Sequence, residues 1–370
     1  MKLWRGFMKN NAPIRVLQIF NTMIYGGAES FIMNVYRNLD RNKIQFDFLV
    51  HGRCVFEDEI EEMGGRIYHI PGYITALGPR KYAQELKSFF NKNRWDIIHC
   101  HLDKTSGFIV NTIKKVYSPV FISHSHCCGE ENSIVVKVYK KHLKSLLNKK
   151  ADYKIACSDN AGKWLFGNDY VVVRNPIDLK RFVFDAKKRL EVRRNLGLSE
   201  NDFVMGTVGR LEPIKNHSFL LDVFNEYQKR DKRAKLVIVG NGSMLNEVRD
   251  KIKELKLSRK IYIIEPCNDI EKYYSAFDLF IMPSKSEGLG MVLLEAAANF
   301  LPILTTDNVP KEIIEDVKAV SITNYDADEW ASKIDKINKE REEKTERLIV
   351  YDARRIAERM ERIYLEEIEL

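Results

Sequence analysis

No stretch of this 370-residue sequence approaches 18 consecutive apolar residues, and its opening, MKLWRGFMKNNAPIRVLQIF, lacks a long apolar run. The first absence excludes a transmembrane helix and the second a secretory leader, so a cytoplasmic protein is expected, ordered from about Ile14. The six cysteines (54, 100, 127, 128, 157, 267) include no Cys-x-x-Cys pair. They read as free thiols of a reducing compartment, with no zinc site implied. Neither half carries Gly-x-Gly-x-x-Gly, which argues against a dehydrogenase. The only Asp-x-Asp, in NYDADEW (324–330), follows no apolar strand. A carboxylate pair serving a metal is expected at a strand end, so no metal and no cofactor are expected. Charge of one sign is also scarce in excess. Sixty Lys+Arg against 52 Asp+Glu leave +8, which suits an anionic small molecule or membrane surface and not a nucleic-acid partner.

What the chain does have is ordinary globular composition, 45% hydrophobic and 30% charged, at a length that suggests two domains. Apolar runs IRVLQIF (14–20), FDFLV (46–50), RIYHI (66–70), DIIHCH (96–101), VFISHSH (120–126), YKIACS (153–158) and YVVVRN (170–175) read as strands. Amphipathic segments such as Glu29–Leu39 and Tyr82–Asn91 lie between them. After a polar, basic linker with one surface helix the alternation restarts with FVMGTVG (203–209), KLVIVG (235–240), KIYIIE (260–265), LFIMPS (279–284) and LPILTTD (301–307). Helices are predicted near 217–230, 243–255, 269–276 and 290–299, and a charged helical tail from Ala327. Strand–helix alternation of this kind predicts two doubly wound α/β domains with mostly parallel sheets, facing a cleft that receives a nucleotide at the carboxyl ends of the strands.

Several turns carry groups suited to an anion. Gly26 and Gly27 follow the first strand and precede a helix, whose free N–H groups and dipole favour an oxyanion; a plain strand–helix turn fits equally. Arg210 leaves a strand after Gly209, and Lys215 follows five residues on. An Arg fork and a Lys point charge converging on one crevice suit a diphosphate, although solvated cations of an exposed turn explain them alone. Gly240 and Gly242 in VGNGS read as ligand-facing or as turn punctuation. In PSKSEGLGMVLLEAAA, the turn Ser286, Glu287, Gly288, Leu289, Gly290 and Met291 aims amides past a helix N-terminus, and Glu295 sits in an otherwise apolar helix. Glu295 reads either as a hook for ribose hydroxyls or as a salt bridge to Arg210 or Lys215.

Taken in order, GGAE, NPID (175–178), GRLEPIKN, VGNGS and the Glu-x7-Glu of EGLGMVLLE resemble the retaining glycosyltransferases of family 4, from Ile14 onward. The resemblance implies the GT-B fold: an acceptor-side Rossmann-like domain over 1–178, a nucleotide-sugar domain over 179–350, and a helix over 351–370 returning to the first. It implies backbone contacts from Gly26 and Gly27 and neutralisation of the leaving diphosphate by Arg210 and Lys215. Glu287 would hold the donor sugar and Glu295 the ribose. The donor-binding set is completed by Asn175, Gly209, Gly240, Pro266, Ser286, Gly288, Leu289, Gly290 and Met291. EPCND (265–269) falls where the family clamps the base, with Glu265 where a Gly is common. A first-domain histidine near the donor sugar corresponds to His126, with His124 behind it; His99 and His101 either shape the acceptor pocket or pack.

The implied reaction moves a sugar from a nucleotide diphosphate, with UDP favoured, to a glycan or lipid-linked acceptor in surface polysaccharide synthesis, without a divalent ion. The rivals are a GT-B epimerase or hydrolase, which a product assay separates, and a non-catalytic partner, which the intact Arg210, Lys215, Glu287 and Glu295 oppose. Residues 133–150 hold six lysines and no acid. With Ile134, Val138, Leu143 and Leu146 on one face, the segment suits either an anionic membrane surface or packing against its own sheet. Donor sugar, base, linkage and oligomeric state are not written in the sequence.

Overall fold

The structure is a computed structural model that describes residues 12–24, 26–70, 72–126, 134–342 and 345–365, without the side chains of 134–138 and 345. The chain forms two compact units. One runs up to Pro176 and resumes at Ala353, and the other is Ile177–Asp352.

The first unit holds seven strands: β1 (Ile14–Phe20), β2 (Ile44–Val50), β3 (Ile67–His69), β4 (Ile97–Cys100), β5 (Val120–Ser125), β6 (Tyr153–Ala156) and β7 (Val171–Val172). They pair in parallel in the order β3-β2-β1-β4-β5-β6-β7. Continuous apolar runs such as IRVLQIF fit because helices cover both faces of a parallel sheet. Val16, Phe20, Ile97, Ile122 and Ile155 pack on one face with Ile356, Ala357, Met360, Ile363 and Tyr364 of the helix Ala353–Leu365. Leu17, Ile19, Ile98 and Phe121 face the other way, against Tyr82, Leu86 and Phe90 of the helix Pro79–Lys92.

The second unit repeats the plan with six parallel strands: β8 (Phe203–Val208), β9 (Ala234–Val239), β10 (Ile261–Ile264), β11 (Leu279–Met282), β12 (Ile303–Thr306) and β13 (Val320–Ile322). Their order is β10-β9-β8-β11-β12-β13. In both sheets the order reverses beside the first strand, between β1 and β4 and between β8 and β11. Such a switch point leaves a crevice at the carboxyl ends of the strands.

The sequence reading differs from the structure in places. Ser106–Ile113 (SGFIVNTI) is a helix that no amphipathic pattern marks. Six of its eight residues are buried, because the helix Ile134–Lys150 packs against it. That packing also bears on the lysine-rich segment: Leu143 and Leu147 are buried in their own unit, and the Lys144 ammonium donates to the Trp164 carbonyl. Leu146 is only partly buried, so Leu147 takes the place expected of it; the side chains of Ile134 and Val138 lie outside the described residues. The Asp-x-Asp has a structural use. Asp326 caps the helix Ala327–Lys336 by accepting from the Glu329 N–H, and Asp328 pairs with Arg230. Among the described residues, no helix is long and apolar enough to cross a membrane.

Candidate functional site

The carboxyl edge of the second sheet gathers most of the predicted donor-binding residues. After β8, Gly209 passes so close to Gly240 that a Cβ on Gly240 would lie 1.9 Å from the Gly209 carbonyl oxygen. A side chain there would push the ends of β8 and β9 apart. Glu212 then accepts from the Ser243 N–H and hydroxyl, and Asn241 donates to Glu265 past β10. Three successive strand ends are thereby tied side by side. Arg210, Glu265 and Pro266 are exposed on this edge.

Across the switch point, Lys215 from the β8 side donates to Glu287 from the β11 side at 2.6 Å. The Glu287 side chain is only 7% exposed. Each therefore neutralises the other. Ser286 and Gly288 are exposed, while Leu289 is buried and anchors the turn. Gly290 caps the helix Met291–Ala298 at φ 72°, a left-handed conformation that favours glycine.

Glu295 does not pair with Arg210 or Lys215, as the salt-bridge reading had it. Its carboxylate accepts from the Tyr274 hydroxyl at 2.5 Å. Burial pushes the Glu295 carboxyl up, while the Tyr274 hydrogen bond and the charge of Arg181 pull it down. Arg181 itself pairs with Glu271, which also takes Lys188. Tyr274 and Arg181 are the residues that sequence reasoning missed. Nothing in YYSAF distinguishes Tyr274 from a packing aromatic.

In the first unit, Gly26 caps the helix Gly27–Asn38, and the Glu29 carboxylate folds back over it. Glu29 is raised by burial and was passed over although the GGAE motif displays it. Gly27 lies against Asn175, which is buried with no described partner for its Oδ1. Gly26, Gly27 and Asn175 thus come together at the end of β1.

Gln18, His99 and His124 point to the sheet face covered by Ala353–Leu365, and His101 and His126 continue the same side just past β4 and β5. The Gln18 amide donates to the Tyr364 hydroxyl (3.4 Å), which stands 2.8 Å from His99 Nδ1. Gln18 Oε1 lies 2.9 Å from His101 Nε2, and His101 Nδ1 lies 2.8 Å from His126 Nε2. The carboxamide oxygen can only accept, so His101 carries its proton on Nε2 and accepts from His126 at Nδ1. The His126 backbone N–H is fixed by Asp103. Burial depresses all four imidazoles, His126 to about 3. They are neutral near pH 7.

The chain is similar to known proteins. Residues 25–181 match the family description Glycosyltransferase Family 4, and residues 188–355 match Glycosyl transferases group 1. EpsF of Bacillus subtilis (strain 168), a glycosyltransferase by provisional name, is 30% identical over 315 residues, 82% of each chain. The UDP-Gal:alpha-D-GlcNAc-diphosphoundecaprenol alpha-1,3-galactosyltransferase of Escherichia coli is 27% identical over 312 residues, 80% of each chain. The crystal structure of Anabaena Alr3699/HepE in complex with UDP and glucose superposes with a TM-score of 0.76 at 17% identity, covering 96% of this chain and 100% of that one. The two Rossmann-like units are those of the GT-B fold, and the chain belongs to the family 4 glycosyltransferases.

Proposed function

We propose that the protein transfers a sugar from UDP to a glycan or lipid-linked acceptor, with retention of anomeric configuration, in surface polysaccharide synthesis. The observation that carries the donor half is the Lys215–Glu287 pair at the switch point of the second sheet, beside the exposed Arg210. Cleaving the anomeric C–O bond leaves negative charge on the β-phosphate oxygen. Fixed cations and helix N-terminal amides stabilise that charge. In this reading Lys215 turns from Glu287 to the diphosphate, releasing Glu287 to the sugar hydroxyls. Arg210 and the first amides of Met291–Ala298 complete the anion site, and no divalent ion is required at the diphosphate. Glu295, oriented by Tyr274, accepts the ribose hydroxyls. His126, with His124 behind it, contacts the transferring sugar without acting as nucleophile, and the departing phosphate takes the acceptor's proton.

UDP as carrier is supported by the UDP held in the HepE structure and by the UDP-Gal named for the Escherichia coli relative. That relative's diphosphoundecaprenol substrate supports a lipid-linked acceptor, met at the inner membrane face. Leu143 and Leu147 of Ile134–Lys150 are buried in their own unit, and that helix has no part in the proposal.

Thermal shift against UDP-, GDP- and ADP-sugars tests the donor, with about 2.7 kcal/mol of stabilisation expected at 100 Kd of the right one. Arg210→Ala and Lys215→Ala should each lower kcat by about 10²–10³. No shift with any nucleotide sugar would remove the donor assignment, and an inverted anomer by NMR would remove the retaining mechanism.

A further inference from the structure

The contacts proposed for His126 and His124 leave the interior of the histidine cluster without an account. His99 and His124 are 0% exposed and His101 is 6% exposed. No described protein atom hydrogen-bonds His99 Nε2 or either nitrogen of His124. A buried polar atom without a partner is destabilising, and three of them meet in one place.

We propose that His99, His101 and His124 form a binding site for one transition-metal dication of the Zn²⁺ class. One ring nitrogen from each lies within 4.8 Å of the other two. Tetrahedral coordination at 2.0–2.1 Å asks for nitrogens about 3.3 Å apart, so each must move inward by no more than about 0.8 Å. Binding must also turn a ring, because His99 and His124 stand stacked with an interplanar angle of 6°.

Two of the three ligands, His99 and His101, already carry the outer hydrogen bonds of a metal site. Imidazole ligands usually hold their second nitrogen against a carbonyl, carboxylate or other fixed group, which sets tautomer and ring orientation. Here Tyr364 occupies His99 Nδ1 and leaves Nε2 for the ion. Gln18 occupies His101 Nε2 and leaves Nδ1. His126 Nε2 now sits on that Nδ1. On metal binding it either gives up the bond or becomes the fourth ligand. His126 is partly buried.

The donor set selects the metal. Three neutral imidazoles with no carboxylate suit Zn²⁺, Co²⁺, Ni²⁺ or Cu²⁺ and not Mg²⁺ or Ca²⁺. The site therefore does not substitute for a diphosphate-bound ion. Its ligands belong to the first unit, whereas Arg210 and Lys215 belong to the second. The sequence reading missed it because DIIHCH and VFISHSH show two separate His-x-His pairs. Only the β4–β5 register puts them on one face.

Chelator-stripped, tag-free full-length protein titrated with Co²⁺ tests the proposal. One equivalent should bind with the visible d–d absorption of a tetrahedral histidine site, and Zn²⁺ should abolish that absorption. His99→Gln and His124→Asn should each eliminate it, while His142→Gln, at an exposed histidine of Ile134–Lys150, should not. Tyr364→Phe should weaken Co²⁺ binding about 10–100-fold. Circular dichroism of the metal-free variants checks their folding; if one fails, the other and the wild-type spectrum decide. Absence of stoichiometric Co²⁺ binding to the wild type, or bands that survive both substitutions, overturns the site.

Discussion

Glu295 works against the stability of the fold through the burial of its carboxyl. Burial raises its carboxyl above the ordinary value of 4.5, so above about pH 4.5 the folded state carries a proton that the unfolded state has lost. Stability then falls as pH rises through that window. Glu295→Gln removes the ionisation and keeps an acceptor for Tyr274. It should raise the apo Tm at pH 7 with the gain vanishing near pH 4, and it should weaken UDP binding by about tenfold or more; thermal melts across pH and calorimetry check both. His217 has the opposite sign. Burial, aided by Lys215, pushes it down to about 4. Its contribution is complete above pH 6.5 and is lost between 6.5 and 4, at about 1.4 kcal/mol per pH unit. His217→Asn should flatten the pH dependence of urea midpoints in that window. Both residues stood in plain view in the sequence. Glu295 was legible as a functional candidate because an acid in MVLLEAAA is conspicuous. Tyr274 was not, since a tyrosine among apolar neighbours gives no sign of what its hydroxyl meets.

At the scale of elements, periodicity carried the reading as far as periodicity existed. IRVLQIF and the helix His217–Arg230 were read to the residue. The strand is legible because both its faces are buried, which makes the run continuously apolar, and the helix because Leu220, Leu221, Phe224 and Tyr227 recur at helical spacing. SGFIVNTI escaped because it is covered on both sides, which erases the polar face that a helical pattern needs. The basic linker helix Ala186–Asn195 looked like a solvated surface helix, yet Arg193 is 2% exposed. Its guanidinium donates to the carbonyls of Ala276, Ser199, Glu200 and Asp202 and pairs with Asp278. One side chain thus joins its helix to the segment leading into β11 and to the turn before β8. Arg193→Ala would leave Asp278 with Arg189 and the Val204 N–H, but would take the side-chain donor from the Ser199, Glu200 and Asp202 carbonyls. A loss of about 1–3 kcal/mol is expected in denaturant unfolding, with Arg193→Lys only partly restoring it, because an ammonium cannot span the same fork.

At the scale of the whole chain, two separate cores imply two unfolding events. Met360 is fully buried in the first unit's core, on a helix that follows the second unit in sequence. Met360→Ala should cost about 2–5 kcal/mol and shift only the first unit's transition. Trp330 is buried in the second unit and Trp95 in the first, so a Trp330→Phe background lets fluorescence follow the first unit alone. A single transition moving as a whole would contradict this. The twofold architecture was legible from the repeated strand–helix alternation, whereas the division at Pro176 and Asp352 depends on pairings such as Ile177 with Asp352 that no local pattern displays. The return of Ala353–Leu365 to the first sheet has a further consequence for biosynthesis. At about 5–20 residues per second, a ribosome needs on the order of ten to thirty seconds to add Ile177–Asp352 before that helix exists. Through that interval the part of the sheet face that Tyr364 meets, at Gln18 and His99, waits for its cover, while Phe31 of Gly27–Asn38 already lies against His124. The half of the protein made first is the half finished last, and it is the nascent surface on which a chaperone would act.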